Sequence, residues 1–157
     1  MSSRIHQHLL TRRDAILQSL LQELRRRNGA PDQPRTSVLL DAFPEFLEEL
    51  ALAVGHQAGS LPDHRLPAAA DHGAQRWQNG FDLRSVVREY GILLHVIMKD
   101  LEAYGQDILL SDMDALANAV NAGIADAVSA FTEQADTVRT TLTETEGELS
   151  ANEARLR

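Results

Sequence analysis

Apolar residues recur every three or four positions along most of the chain, and this spacing predicts amphipathic helices. The first series predicts a helix over residues 5–27, in which a break near Leu10 stays open because Thr11 and Asp14 form a weak capping signal. The segments 28–34 and 55–67 are predicted to be loops, since they are rich in glycine, proline, asparagine and aspartate. The apolar positions of the first helix are Ile5, Leu9, Ile16, Leu17, Leu20, Leu21 and Leu24.

Two helices are predicted in the middle of the chain. Pro44 suits the first turn of a second helix, where the missing N–H costs no hydrogen bond. A third helix is predicted over about residues 68–78 and ends at Asn79-Gly80, because glycine readily takes the left-handed conformation that closes a helix. The second helix carries the apolar residues Phe46, Leu47, Leu50, Leu52 and Val54.

The fourth helix is predicted to present one apolar face and one charged edge. It runs from Leu83 to about Tyr104, and Asp82 is a good N-cap for it, since its carboxylate can accept a backbone N–H of the first turn. The predicted core stripe consists of Leu83, Val86, Val87, Tyr90, Leu94, Ile97 and Leu101. The predicted outer edge carries Arg84, Arg88, His95 and Lys99.

The last helix carries a heptad pattern. It is predicted to begin at a cap formed by Ser111 or Asp112 and to continue to the C-terminus. From residue 124 onward, two interleaved seven-residue series occupy the a and d positions of a coiled coil, although Thr145, Gly147 and Asn152 weaken the C-terminal half. Such a seam needs a partner, so we expect a homodimer and a chain that leads into an output domain. The predicted dimer seam consists of Ile124, Val128, Phe131, Val138, Leu142 and Leu149.

Composition agrees with one all-α globular domain. The 157 residues are 43% apolar and 24% charged, which is ordinary for a globular protein, and runs of β-branched residues are nearly absent. No apolar run approaches the roughly 20 residues that span a bilayer, so we expect no membrane insertion and a cytoplasmic location. The net charge of −8 disfavours nucleic-acid binding. The basic run at residues 25–27 is expected to close a helix, where cations favour the dipole.

Recognisable catalytic motifs are absent from the sequence. It has no Gly-rich phosphate loop, no HExxH and no GxSxG, and it has no cysteine. None of the six histidines shows the i,i+4 pairing or the tight clustering typical of zinc sites. We therefore expect no catalytic residue, no cofactor and no metal. A phosphotransfer role for His72 or His95 stays open, because helical bundles with one exposed histidine perform that reaction.

The stretch HGAQRWQNGFDLRSVVREY, residues 72–90, holds the densest set of polar and aromatic side chains. His72 and Arg76 are four apart and share one face of the third helix. The turn that follows folds the fourth helix back against the third and brings Glu89 toward Arg76. We expect an ion pair at this crossing, with His72 as a hydrogen-bond partner, that fixes how the two helices pack. A signal or ligand pocket that uses His72, Arg76 and Tyr90 is the alternative.

The residues HGAQRWQNGFDLRSVVREYGILLHVI, from 72 to 97, resemble the helical N-terminal domain named after RsbRD, the RsbT co-antagonist, which also stands at the front of bacterial sensor histidine kinases. The resemblance spans roughly residues 10–135. It implies an input module, related to non-haem globin-like sensor domains, that passes its state to a C-terminal output domain; haem binding is not implied. After Leu94 the resemblance would place an arginine, and His95 there would make an anion-binding role pH-dependent. The matching positions are His72, Arg76, Gly80, Glu89, Tyr90 and Leu94.

These observations give one fold and three hypotheses of function. The fold is an all-α bundle of about five helices, globin-like or four-helix-bundle-like, in which residues 1–135 form a sensor domain and residues 136–157 a coiled-coil signalling helix. The favoured function is the N-terminal sensory input domain of a bacterial signal-transduction protein, a sensor histidine kinase. The alternatives are a phosphotransfer-type helical domain and a passive dimerisation scaffold. The candidate signal or hinge site consists of His72, Arg76, Glu89, Tyr90 and His95.

Overall fold

The computed structural model describes residues 4–28, 40, 42–55 and 66–156. Within these residues it contains helices and no strand, which confirms the predicted all-α class. The predicted loops fall mostly on the segments 29–34 and 56–65, which lie outside the described residues. The helices are α1 (Arg4–Thr11), α2 (Arg13–Asn28), α3 (Phe43–Gly55), α4 (Pro67–Gln78), α5 (Leu83–Tyr104) and α6 (Leu110–Arg155).

The first predicted helix is two helices, with a turn at Arg12 between them. The Arg12 N–H donates to the carbonyl oxygen of His8 over 2.8 Å, and the Ile16 N–H donates to that of Arg12 over 2.9 Å. Backbone hydrogen bonds of the helical kind therefore continue through the turn. A break was considered near Leu10 from the sequence, and the structure has it two residues later, at Arg12.

The turn between α4 and α5 follows the sequence prediction. Gly80 has a left-handed φ of 78°, the conformation that glycine takes without the steric penalty of a Cβ. The Asp82 carboxylate accepts the backbone N–H of Ser85 over 2.7 Å and so satisfies a free donor at the start of α5. Because only four residues separate the two helices, α5 returns beside α4.

The core stripe of α5 is rotated relative to the prediction. Val86, Tyr90, Ile97 and Leu101 are buried as predicted, but Val87 is 41% exposed, and Leu83 and Leu94 are only partly buried. The reason is that α5 packs against α2, α4 and α6 and therefore buries a face wider than a single stripe. Four further residues of α5 are buried, namely Glu89, Ile92, Leu93 and Val96.

Two other expectations about the helices were wrong. Leu52 of α3 is 54% exposed, whereas Phe46, Leu47 and Leu50 are buried. The N-cap of α6 is Leu109 rather than Ser111 or Asp112. Asp112 still contributes to this helix start, because its carboxylate reaches back to accept the backbone N–H of Leu109 over 3.1 Å.

The last helix divides into a packed half and an exposed half. Its 46 residues begin inside the bundle, where Leu116, Val120 and Ala127 are buried. Every residue from 136 to 156 is exposed in the single chain. The fold therefore ends in a helix that extends away from its own core.

Candidate functional site

The predicted ion pair between α4 and α5 is present. Arg76 Nε donates to Glu89 Oε2 over 2.9 Å and to Oε1 over 3.2 Å. His72 Nε2 lies 2.8 Å from the same Oε2 atom. One carboxylate of α5 therefore holds two side chains that stand one turn apart on α4, and we call these three residues the buried triad.

Aromatic rings enclose the buried triad. The His72 ring centroid lies 4.4 Å from that of Phe43 and 5.5 Å from that of Tyr90. Tyr90 also meets Phe46 edge to face at 5.3 Å, which is a favourable aromatic geometry. The guanidinium carbon of Arg76 lies 4.7 Å from the centre of the Phe81 ring. The charges of the triad are thus removed from water on all sides.

Burial decides what the buried triad can do. His72 and Arg76 are 0% exposed and Glu89 is 4% exposed. A ligand would have to displace the surrounding helices to reach them. The geometry therefore favours an ion pair that fixes how the helices pack over an open pocket. Because an uncompensated buried charge is costly, the triad holds α4 and α5 in one relative position.

The five candidate residues do not form one site. His72, Arg76, Glu89 and Tyr90 come together, but His95 is exposed to solvent elsewhere on α5. There it lines a separate cavity of about 320 Å³ together with Ser19, Lys99 and Tyr104. Of the two histidines considered for phosphotransfer, His72 has no access to solvent and His95 has it.

Two glycines bring α6 unusually close to the buried triad, and the sequence reasoning did not identify them in this role. A Cβ on Gly73 would collide with the backbone carbonyl of Ala127, so α4 and α6 touch almost backbone to backbone. A Cβ on Gly123 would lie 2.6 Å from the Phe46 ring. Gly73 stands directly beside His72, and the triad is therefore in contact with α6 through α4. The one property of these glycines that the sequence could offer as a signal of such close packing is that they have no Cβ.

The N-terminus of α4 is capped by side chains from other helices. Leu66 supplies no side-chain cap; instead its N–H donates to Asp126 Oδ2 of α6 over 2.6 Å. The Ala68 N–H donates to both carboxylate oxygens of Glu49 of α3, at 3.1 and 3.2 Å. Burial raises the pKa of the Glu49 carboxyl above its ordinary value, and the nearby Asp71 and Asp126 add to the effect, against the Ala68 hydrogen bond. The hydrogen bond from the Leu66 N–H to Asp126 is a second link between α4 and α6.

A second triad of one histidine, one arginine and one carboxylate lies at the other end of α5, and it was not predicted. Arg12 donates to Asp100 through Nε at 3.0 Å and through Nη2 at 2.8 Å. His8 Nε2 lies 2.7 Å from Asp100 Oδ2. Burial acts to raise the pKa of the Asp100 carboxyl, but the hydrogen bonds from Arg12 and His8 outweigh it and leave that pKa below its ordinary value. We call this group the outer triad.

The described residues also bear on the metal and membrane predictions. These contain no group of three or more His, Cys, Asp or Glu side chains arranged to hold a metal ion. His56 and His64 lie outside the described residues. None of the described helices is both long and apolar enough to cross a membrane.

The predicted dimer seam is divided by the fold. Ile124 and Phe131 pack against the core of their own chain. Val138, Leu142 and Leu149 are 40%, 59% and 58% exposed. These three residues are therefore the part of the predicted seam that is exposed enough to contact another chain.

Comparison with known protein families gave one match. The family model described as the RsbT co-antagonist protein rsbRD N-terminal domain matches residues 14–157, which includes the exposed half of α6. No curated protein and no solved structure matched the chain. Because the match covers most of the chain, it is sufficient to assign the chain to this family.

Proposed function

This chain belongs to the family of RsbT co-antagonist rsbRD N-terminal domains, and from that membership we propose that it is a sensory input domain that passes its state through α6 in a parallel homodimer. The family is one of N-terminal regulatory domains in signal transduction. The finer part of the proposal is that the output is of the sensor histidine kinase type. It also assigns residues 1–135 to sensing and residues 136–157 to transmission.

The buried triad acts as a hinge in this proposal. It sets the position of α4 relative to α5, and Gly73 carries that position to Ala127 of α6. Helix shifts of about one or two ångströms are a common form of signalling switch. A contact made almost backbone to backbone transmits such a shift, because no flexible side chain lies between the helices to absorb it.

The single observation that carries the proposal is the exposed heptad seam. Val138, Leu142 and Leu149 lie on the part of α6 from residue 136 onward, where every described residue is exposed in the single chain. A second copy is the partner that the pattern suits, since identical a and d residues meet each other in a parallel coiled coil. Polar Thr145 and Asn152 at d positions keep the pair from locking into one state, because a switch needs states separated by only a few kcal/mol.

The pairing is tested by light scattering on the chain and on Leu142→Asp. We expect a dimer for the unaltered chain and dissociation for the variant, because a charge at an a position is buried against its own copy. Thr143→Asp is the matched control: it lies next along the same exposed helix but off the seam, and it should leave the dimer intact. A monomeric unaltered chain contradicts the pairing.

Transmission is tested by fusing residues 1–157 in register to a histidine kinase core and measuring autophosphorylation. Thr145→Leu combined with Asn152→Leu should raise dimer stability and bias kinase activity toward one level. Thr143→Leu, off the seam, should change neither. If the double substitution stabilises the dimer but leaves kinase activity unchanged, α6 is a tether and the chain is a passive scaffold.

A further inference from the structure

An open cavity lies away from the buried triad, between α1 and the connection from α5 to α6. Its volume is about 550 Å³, within the range of small-molecule sites. α1 forms one wall. Tyr104 and residues 106–108 form the other wall. The cavity thus touches the segment that leads directly into α6.

The lining of this cavity is cationic in a chain whose net charge is −8. Arg4 and His8 of α1 and Arg12 of the turn that follows it stand at intervals of four residues, so all three face the same side. Asp107 is the one acidic residue among the lining residues. Because two arginines and one aspartate line this cavity, positive charge is in excess there, and the cavity favours anions.

Arg4, His8 and Arg12 are held in different ways. Arg12 and His8 are fixed from behind by Asp100, and the Arg12 guanidinium carbon lies 3.9 Å from the centre of the Tyr104 ring. Arg4 pairs with Asp107, and the two side chains are 57% and 82% exposed. An exposed pair of this kind contributes little, so an incoming anion can replace Asp107 without a large cost.

We propose that this cavity is a binding site for a small polyvalent organic anion, carrying carboxylate or phosphate groups, which displaces Asp107 from Arg4 and reaches the cationic face of α1. The amides of Gln7 and Gln106 add hydrogen-bond donors at either wall. Two arginines suit this chemistry, because a guanidinium binds carboxylate and phosphate with paired hydrogen bonds. The inference does not depend on the pairing of α6.

The test is isothermal titration of the chain with citrate and, separately, with inorganic pyrophosphate, against sodium chloride of matched ionic strength. We expect saturable binding of at least one probe above the salt control. Binding of citrate alone assigns the site to carboxylates, binding of pyrophosphate alone assigns it to phosphates, and binding of both supports the shared chemistry.

Three variants locate the binding. Arg4→Gln should weaken it about tenfold, which corresponds to the loss of one charge-assisted contact. Asp107→Asn should tighten it about threefold, because a competing carboxylate is removed. Arg139→Gln is the matched control, since Arg139 also forms an exposed pair with an aspartate but lies on α6, and it should bind as the unaltered chain does. No saturation with either probe, or equal binding by Arg4→Gln, overturns the proposal.

Discussion

The buried triad predicts a strong energetic interaction between Arg76 and Glu89. The substitutions are Glu89→Gln, which keeps the size of the side chain, and Arg76→Met, which keeps an unbranched apolar stem; both remove charge. Each single change leaves the other charge buried in a site enclosed by aromatic rings. The double change leaves neither charge behind, so its cost should be well below the sum of the two single costs.

The magnitude follows from the burial of both partners. Breaking a buried pair by removing one partner costs roughly 3–5 kcal/mol, compared with a total stability of about 5–15 kcal/mol for a domain. Arg76 is fully buried and donates to both oxygens of Glu89, which points to the upper part of that range. We expect an interaction free energy of about 2–3 kcal/mol from the double-mutant cycle.

The assay is urea unfolding of the four proteins at one fixed protein concentration, because pairing of chains would make stability depend on concentration. Lys99 and Glu102 supply the control cycle: they form a pair on the same helix at 2.9 Å, but their side chains are 65% and 71% exposed. Lys99→Met and Glu102→Gln should be additive. Additive effects for Arg76 and Glu89 as well would refute the hinge.

Three further predictions follow from the same structure. Gly73→Ala should destabilise the fold by about 2 kcal/mol or more in thermal unfolding, since its methyl group meets backbone of α6, whereas Gly91→Ala, with open space around it, should stabilise by about 0.5–1 kcal/mol. Asp100→Asn should lower the free energy of unfolding by about 1–3 kcal/mol at pH 7. Because the pKa of Asp100 is lowered in the fold, the stabilisation by its carboxylate is present above the ordinary pKa and is lost as pH falls through the folded pKa. The free energies of unfolding of the two proteins should therefore converge in acid. Glu49→Gln should raise the midpoint of thermal unfolding at pH 7. The pKa of Glu49 is raised in the fold, so the fold favours the protonated carboxyl, and this form is lost as pH rises through the folded pKa. In acid the unaltered protein is protonated at Glu49, and the variant should lose its advantage.

Local chemistry explains which parts of the fold were predictable from the sequence. The helix bounds of α5, the cap at Asp82 and the left-handed Gly80 each depend on a few neighbouring residues, and all three were predicted correctly. The pairing of Arg76 with Glu89 was predictable for a related reason. A short turn joins their helices, so proximity along the chain limited where Glu89 could lie.

Contacts between distant segments were not predictable in the same way. The outer triad joins residues 88 and 92 positions apart, and nothing in the sequence relates His8 or Arg12 to Asp100. The core stripe of α5 was rotated because periodicity identifies an apolar face but does not say how many helices cover it. Val87 looks like a core residue by type, whereas Glu89 is buried because two partners on another helix neutralise it.

The two triads support the proposal that α6 is the element that reports a change of state. Glu89 and Asp100 are eleven residues apart on α5, about three helical turns, so they face the same side. Each receives a histidine and an arginine that stand four residues apart, from α4 at one end and from the α1–α2 turn at the other. α5 is therefore tied at both ends to its neighbours, while every residue of α6 from 136 onward is exposed in the single chain. A perturbation at either triad displaces α4 or α1 relative to α5, and α6 is the helix that can respond without breaking a buried ion pair.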